Sequence, residues 1–276
     1  MHRFLRFPGF KRHALTFSYD DGTVFDKRLV EIFDKNGVKG TFNLNTGCMG
    51  EGRRLTKEEC YELFANSPHE VAVHGAKHLI LTEYAPATVN ADVLLDRLEL
   101  ERQYGRIIRG MAYAYGTFND EVVSVLENCG IVYSRTTVPT YKFDIPTDWL
   151  RLNPTCHHKD ERLPELTEAF LDNTPKDTPM LWKNPNKLFY VWGHSYEFND
   201  RNNWELIEDF CQKVGGHDYV WYATNIEIYD YVRAFEALVY SADGNTVFNP
   251  TTIDVYTCLA DKDTLIPAGA TVVLNG

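Results

Sequence analysis

Two short segments of the sequence end in side chains that can bind a metal ion. The first, HALTFSYDDG, runs into Asp20 and Asp21, and the second, HEVAVHGAKH, runs into His74 and His78. A carboxylate and two imidazoles are a ligand set typical of catalytic zinc, which keeps a further coordination position for water. Adjacent acids at a strand end point in different directions, so one can bind a metal while the other acts as a base.

Each segment also has a simpler interpretation. Histidines four residues apart are common on helix surfaces, and Asp-Asp-Gly is a common turn. Gly75 disfavours a helix through the two histidines, and the residue after His74 is not Glu, which excludes the helical zinc-protease motif. Both segments begin as apolar strands, and the carboxyl ends of parallel strands share one edge of a sheet. The sequence therefore predicts that the four side chains meet there.

Strands and helices alternate about seven times up to about residue 238. The predicted strands lie within residues 13–22, 38–44, 70–74, 107–115, 131–135, 188–192 and 219–222. The predicted helices span residues 24–35, 56–66, 87–104, 119–126, 161–171, 204–214 and 226–238. Alternation favours a parallel sheet, and the length favours closing it into a barrel.

Local signals refine the helices and the end of the chain. Thr56 followed by Glu59 is a capping-box pattern, and Asn119 is a typical N-cap. In the helix over 87–104, we expect Val93, Leu94, Leu98 and Leu100 to face the core. After residue 238 the pattern has period two, so we predict a barrel domain over 1–238 and a small β-rich appendage over 239–276.

Composition excludes several classes of protein. With 44% hydrophobic and 24% charged residues, the chain is typical of a globular protein. The net charge of −11 argues against nucleic-acid binding. No apolar run is long enough to span a membrane, and the first residues show no signal-peptide pattern. We therefore expect a cytoplasmic protein, or the mature form of a secreted one. Six cysteines without a CxxC pair predict reduced structural thiols.

Five segments, in order, resemble the sequence boxes of the polysaccharide deacetylases, carbohydrate esterase family 4, with its nodulation-deacetylase-like domain. They are SYDDG at 18–22, HEVAVHGAKH at 69–78, AYAYG at 112–116, DWLR at 148–151 and VWGH at 191–194. The resemblance covers about residues 10–235. It implies an α/β fold, a distorted, incomplete (β/α) barrel of about seven strands, in agreement with the alternation above.

The resemblance also implies a metal site and a base. Asp21, His74 and His78 would be the ligands of Zn²⁺, Co²⁺ or another divalent transition metal, and Asp20 would be the general base. The implied substrate is an acetylated carbohydrate.

Further roles follow from the later boxes. His194 would be the general acid, and Asp148 would hold and tune its imidazole. The backbone N–H of Tyr115 would stabilise the oxyanion, and Trp149 and Trp192 would belong to the substrate pocket. The neighbouring His157 and His158 could face the same cavity, but their position in a polar loop favours the surface.

The third box departs from the family pattern. Ala112 and Ala114 stand where the family has Arg and Pro, so the Arg that holds the base carboxylate is missing from its position. Either Arg135 or Arg151 supplies the charge from elsewhere, or Asp20 is held differently and the activity is altered or lost.

Three functions are compatible with these residues. The first is a metal-dependent deacetylase acting on N-acetylated or O-acetylated carbohydrate. The second is a non-catalytic carbohydrate-binding protein on the same scaffold, and the third is a metal amidohydrolase acting on a small non-sugar amide. A closed pocket would favour the third function, because a polymer needs an open groove. The sequence gives no prediction of the oligomeric state.

Overall fold

The structure is a computed structural model that describes residues 3–174 and 185–274. Within these residues lie eight α-helices: α1 Asp26–Asn36, α2 Lys57–Phe64, α3 Pro86–Tyr104, α4 Asp120–Asn128, α5 Leu163–Leu171, α6 Tyr196–Asp200, α7 Glu205–Val214 and α8 Asn225–Glu236. The same residues contain fourteen strands: β1 Arg3–Leu5, β2 His13–Asp20, β3 Gly40–Leu44, β4 Glu70–Val73, β5 Gly110–Ala112, β6 Tyr133–Arg135, β7 Cys156–His157, β8 Lys187–Gly193, β9 Val220–Tyr222, β10 Val239–Tyr240, β11 Thr246–Phe248, β12 Val255–Leu259, β13 Lys262–Ile266 and β14 Thr271–Val273.

A parallel sheet forms the centre of the fold. Seven strands follow one another in the order β6-β5-β4-β3-β2-β8-β7, and β9 pairs with the first residues of β2. Every residue of β2 is buried, because it has partners on both sides and helices such as α1 and α7 pack against the sheet. This confirms the predicted α/β fold, an incomplete (β/α) barrel.

The gap between the edge strands β6 and β7 is crossed by the irregular segment that precedes β7. Leu152 N–H donates to Ser134 O at 3.0 Å, and Thr155 N–H donates to Tyr190 O at 2.8 Å. The segment therefore contacts β6 at one end and β8 at the other. Sequence periodicity predicted only an irregular stretch here, because β7 has two residues.

The helix caps agree with the local signals. Thr56 and Glu59 form both halves of the capping box of α2, and the Asn119 side chain accepts from Val122 N–H. The inner face of α3 differs from the prediction. Leu94 and Leu98 are 38% and 37% exposed, whereas two aspartates of α3 are buried together with Val93 and Leu100. The reason is that these carboxylates bind the backbone of a neighbouring loop, as described below.

The strands after residue 238 lie in two antiparallel sheets. One sheet has the order β10-β11-β14, and the other has the order β1-β12-β13. The strand β1 pairs Arg3 with Leu259 and Leu5 with Thr257. A strand from the start of the chain thus lies in the same sheet as two strands from its C-terminal part. All six cysteines are free thiols. Among the described helices, none is both long and apolar enough to cross a membrane.

A buried carboxylate connects the amino end of β4 to α8. Glu70 accepts hydrogen bonds from Thr41 Oγ1 at 2.8 Å, Tyr133 OH at 2.7 Å and Ile226 N–H at 2.9 Å. Burial raises the pKa of Glu70 from 4.5 to about 7, even though these donors lower it. The folded protein therefore holds a proton that the unfolded chain releases at lower pH.

This difference predicts that stability falls as pH rises from about 4.5 to about 7, because only the unfolded state then loses the Glu70 proton. The Glu70→Gln variant lacks the group, so the free energy of unfolding should depend less on pH in this window, by up to about 3 kcal/mol. Urea unfolding of both proteins at about pH 5 and pH 7.5 measures the difference. Equal pH dependence in the two proteins would contradict the prediction.

Candidate active site

The carboxyl ends of five parallel strands meet at one edge of the sheet, and four of them bring polar side chains there. Asp20 is the last residue of β2, and His74 follows β4. Ala112 ends β5, Arg135 ends β6, and His194 follows β8. The sequence reasoning expected this arrangement for the first two strands, because their chemical groups stand directly at strand ends.

Asp21, His74 and His78 lie together at this edge. Their potential ligand atoms are all within 4.8 Å of one another. Asp21 Oδ1 is 3.4 Å from His78 Nε2 and 3.9 Å from His74 Nε2. His74 Nδ1 is 2.8 Å from Ala112 O, which fixes the proton on Nδ1 and leaves Nε2 as a lone-pair donor toward Asp21. The donor set fits a divalent transition metal.

The loop that carries both histidines is held by α3. Asp96 Oδ2 accepts from His74 N–H at 3.0 Å, and Asp92 Oδ1 accepts from Lys77 N–H at 2.9 Å. Gly75 has φ +79°, and a Cβ at this residue would lie 2.6 Å from Asp92 Oδ2, so the loop requires glycine. Sequence reasoning missed both aspartates. The signal that could have revealed them is a pair of acids four residues apart on the inward face of a helix.

Asp20 lies beside this set and is fixed by two donors. Asn43 Nδ2 donates to its Oδ1 at 2.8 Å, and the Arg135 guanidinium donates to its Oδ2. Burial alone would raise the pKa of Asp20, but Arg135, His74 and His194 outweigh burial and lower it to about 2. Asp20 is therefore a carboxylate at neutral pH.

Arg135 supplies the positive charge beside Asp20 that the third box lacks. It is fully buried, and its guanidinium lies 4.3 Å from the centre of the Trp192 ring. In the parallel register of β5 and β6, Arg135 is paired with Ala112. The charge thus comes from the adjacent strand at the same level of the sheet. Arg151 pairs instead with Asp120 at 2.6 Å, outside this cluster.

His194 faces Asp20 from β8. Its Nε2 is 3.9 Å from Asp20 Oδ2, and its Nδ1 is 3.1 Å from Glu197 Oε1. Burial lowers the pKa of His194, but the hydrogen bond to Glu197 and the charge of Asp20 outweigh it, so the pKa is raised above 6.5.

Asp148 does not take the position beside His194 that the resemblance implied. Its Oδ1 accepts from Arg151 N–H at 3.1 Å, which caps the short helix Trp149–Arg151, and its side chain is half exposed. Both oxygens of the Asp148 carboxylate therefore bind Arg151, one in the helix cap and the other in the ion pair. The structure places Glu197 at His194 instead.

The three aromatic residues expected at the site take different positions in the structure. Trp149 packs edge-on against Tyr229 with ring centres 5.1 Å apart, in the apolar core between the sheet and α8, and not on a pocket wall. Trp192 lies at the site, against Arg135 and with its ring centre 5.8 Å from that of His194. Tyr115 has a left-handed backbone, φ 58°, is 62% exposed and lies 4.5 Å from the His78 ring.

Two histidines expected at the surface also lie at this edge. His158 is 2% exposed, and the His157 ring lies 4.5 Å from that of Trp192, because β7 pairs with β8 and turns both imidazoles toward Glu197. A strand of two residues gives no periodic signal, so the sequence favoured the surface over the cavity for both histidines.

Comparisons with known proteins agree with the architecture. Residues 8–134 match the family model described as polysaccharide deacetylase. A candidate polysaccharide deacetylase from Mycobacterium smegmatis has a similar fold, with a TM-score of 0.60 and 18% identity over 84% of this chain and 94% of that chain. A mutant of a family 4 carbohydrate esterase pseudoenzyme from Bacillus anthracis, with restored enzymatic activity, gives a TM-score of 0.50 and 14% identity over 82% and 70% of the two chains.

A third structure, a deacetylase from Streptococcus pyogenes in complex with acetate, gives a TM-score of 0.46 and 21% identity over 49% of this chain. The present chain covers 61% of that deacetylase. No curated protein matches the sequence. At these identities, the structural likeness concerns the fold alone.

Proposed function

We propose that this chain is a metal-dependent hydrolase that removes acetyl groups from an N-acetylated or O-acetylated carbohydrate, a proposal supported by the match of residues 8–134 to the polysaccharide deacetylase family model. The observation that carries this proposal is the meeting of a metal-binding set with a separate, ionised carboxylate and an imidazole. Asp21, His74 and His78 supply the first, and Asp20 and His194 supply the others.

Asp21, His74 and His78 would hold the metal. A divalent cation bound there, Zn²⁺ or Co²⁺, would supply Lewis acidity that polarises an acyl carbonyl and makes water a stronger acid. The backbone N–H of Tyr115, next to His78 at the mouth of the site, would donate to the oxyanion that forms on the carbonyl oxygen.

Asp20 would act as the general base. Its pKa of about 2 keeps it ionised, and Asn43 and Arg135 fix the carboxylate in one orientation. His74 Nε2 lies 3.8 Å from Asp20 Oδ2, so the base borders the metal-binding set without belonging to it. A water molecule attacking the acyl carbon would transfer its proton to this oxygen.

His194 would act as the general acid. Its raised pKa keeps a larger fraction of the ring protonated near neutral pH. With Nδ1 bonded to Glu197, Nε2 is the nitrogen that faces Asp20 and the space above it. From there it would give its proton to the leaving nitrogen or oxygen of the carbohydrate as the tetrahedral intermediate breaks down.

Acetate release tests the proposal. The purified protein is assayed for bound metal and then incubated with chitooligosaccharides and with acetylated xylan. We expect acetate to be released from one of these substrates, the activity to be lost with a chelator, and Zn²⁺ or Co²⁺ to restore it.

Two other results would contradict the proposal. Binding of metal and sugar without any acetate release would identify a non-catalytic carbohydrate-binding protein. Turnover confined to small non-sugar amides would identify an amidohydrolase.

A further inference from the structure

Glu197 is the acid closest to His194 on the side away from the metal-binding set. It lies in α6, three residues after His194, and is 9% exposed. Its Oε1 is 3.1 Å from His194 Nδ1. Neither the sequence boxes nor the expected chemistry assigned it a role.

The surroundings of Glu197 keep its carboxylate ionised and in place. Its Oε2 lies 3.3 Å from His158 Nε2, 3.2 Å from Arg201 Nη1 and 3.7 Å from Lys159 Nζ, and its Oε1 lies 3.6 Å from His157 Nε2. Burial alone would raise the pKa of Glu197, but hydrogen bonds with the three histidines lower it well below the usual range. An ionised carboxylate only accepts hydrogen bonds.

The consequence for His194 follows from the two nitrogens of its ring. If Glu197 only accepts, His194 Nδ1 must carry a proton. The second, exchangeable proton is then confined to Nε2, which lies 3.9 Å from Asp20 Oδ2. The bond also fixes the rotation of the ring, which is packed between Trp192 and Tyr196.

The geometry points to Glu197 as the positioning residue of the general acid: it holds His194 with Nε2 directed into the site, the role that the resemblance gave to Asp148. This inference rests on the proposed function for its kinetic consequence, but the state of the His194 ring can be tested without any substrate.

The same side chains could instead suggest a second metal site, since donor atoms of His157, His194 and Glu197 also lie within 4.8 Å of one another. The tautomers argue against it. His157 Nδ1 accepts from Lys159 N–H at 3.1 Å, so its Nε2 carries the proton and is not a lone-pair donor. Lys159 and Arg201 add two positive charges beside Glu197, which disfavour a dication there.

The experiment compares four proteins labelled with ¹⁵N at histidine: the wild type, Glu197→Ala, Glu197→Gln and Asp148→Asn. Long-range ¹H–¹⁵N spectra of the metal-free proteins report which His194 nitrogen carries the proton. We expect the Nδ1-protonated form in the wild type and in Asp148→Asn. Glu197→Ala should lose this preference, and Glu197→Gln should keep part of it, because an amide oxygen can still accept.

Acetate-release kinetics form the second arm. We expect Glu197→Ala to lower kcat by about 10-fold to 100-fold with KM changed less than about 3-fold, and Glu197→Gln to show a smaller loss. Glu205→Gln is the matched control, since it makes the same change on the exposed first turn of α7. If Glu197→Ala fails to fold, as judged by thermal melting, Glu197→Gln carries both arms.

Three results would overturn the inference. In the first, Asp148→Asn, and neither Glu197 variant, changes the His194 spectrum. In the second, the spectra change while kcat of an active enzyme does not. In the third, the wild type binds a second metal ion per chain that is lost in Glu197→Gln. If the wild type releases no acetate from any substrate, the proposed function fails, but the spectra still decide whether Glu197 positions His194.

Discussion

Replacing Arg135 with Met is expected to lower kcat for acetate release by about 100-fold or more, the range that general base catalysis contributes. Arg135 is fully buried and is the first of the positive charges that lower the pKa of Asp20. Met keeps much of the apolar stem but leaves the Asp20 carboxylate buried without its guanidinium. Breaking such a pair also costs about 3–5 kcal/mol of stability, so thermal melting accompanies the kinetics.

The pairing of β5 with β6 allows a more specific control than the substitution of Arg135 alone. Ala112 is paired with Arg135 on the neighbouring strand, so the double variant Ala112→Arg with Arg135→Ala returns the charge to the strand where the family carries it. We expect this double variant to be at least about 10-fold more active than Arg135→Ala alone. Arg151→Met should have little effect, since Arg151 pairs with Asp120 and Asp148. A large loss in Arg151→Met with normal activity in Arg135→Met would reverse the assignment.

The second large effect is expected from His78→Ala. Removing one of three protein ligands should weaken Zn²⁺ binding by more than the roughly 10-fold to 100-fold that loss of a ligand's hydrogen-bonding partner costs. Competition with a chromophoric chelator measures the affinity. Because a ligand that binds only the folded state stabilises it, Zn²⁺ should raise the melting temperature of the wild type and not that of the variant.

The matched control is His217→Ala, a histidine whose Nε2 contacts Lys213 O at 2.9 Å on α7. Its Zn²⁺ affinity should equal that of the wild type. If His78→Ala retained full affinity, Asp21 and His74 would have to bind the ion with a different third ligand, and the metal-binding set described here would be wrong.

The fold and the meeting of Asp21, His74 and His78 could be predicted because their signals are local in the sequence. Alternating apolar strands and amphipathic helices indicated a parallel sheet, and its polar strand ends had to share an edge. Asp21, His74 and His78 stand directly at such ends, so their meeting required no knowledge of side-chain packing. The choice between Arg135 and Arg151 did require it, because only the register of β6 on β5 places one of them beside Asp20.

The remaining differences arise where a side chain has a closer partner than the expected one. Asp148 caps the short helix that follows it, and Trp149 packs into the core against Tyr229. The inner face of α3 carries buried aspartates where leucines were expected, because the N–H groups of the His74 loop need acceptors. Hydrophobic periodicity describes one segment at a time, so it does not show which of several partners from other segments a side chain contacts.

The elements of the site differ in how firmly the fold holds them. Asp20 ends β2, which is hydrogen-bonded to strands on both sides, whereas Glu197, the hydrogen-bond partner of His194, lies in the five-residue helix α6. Amide exchange should therefore be slowest in β2 and faster in α6, where a local opening disturbs few contacts. During such an opening Asp20, Asp21, His74 and His78 would keep their places, while His194 would lose its hydrogen bond to Glu197. The orientation of the His194 ring would then be lost and regained without unfolding of the barrel.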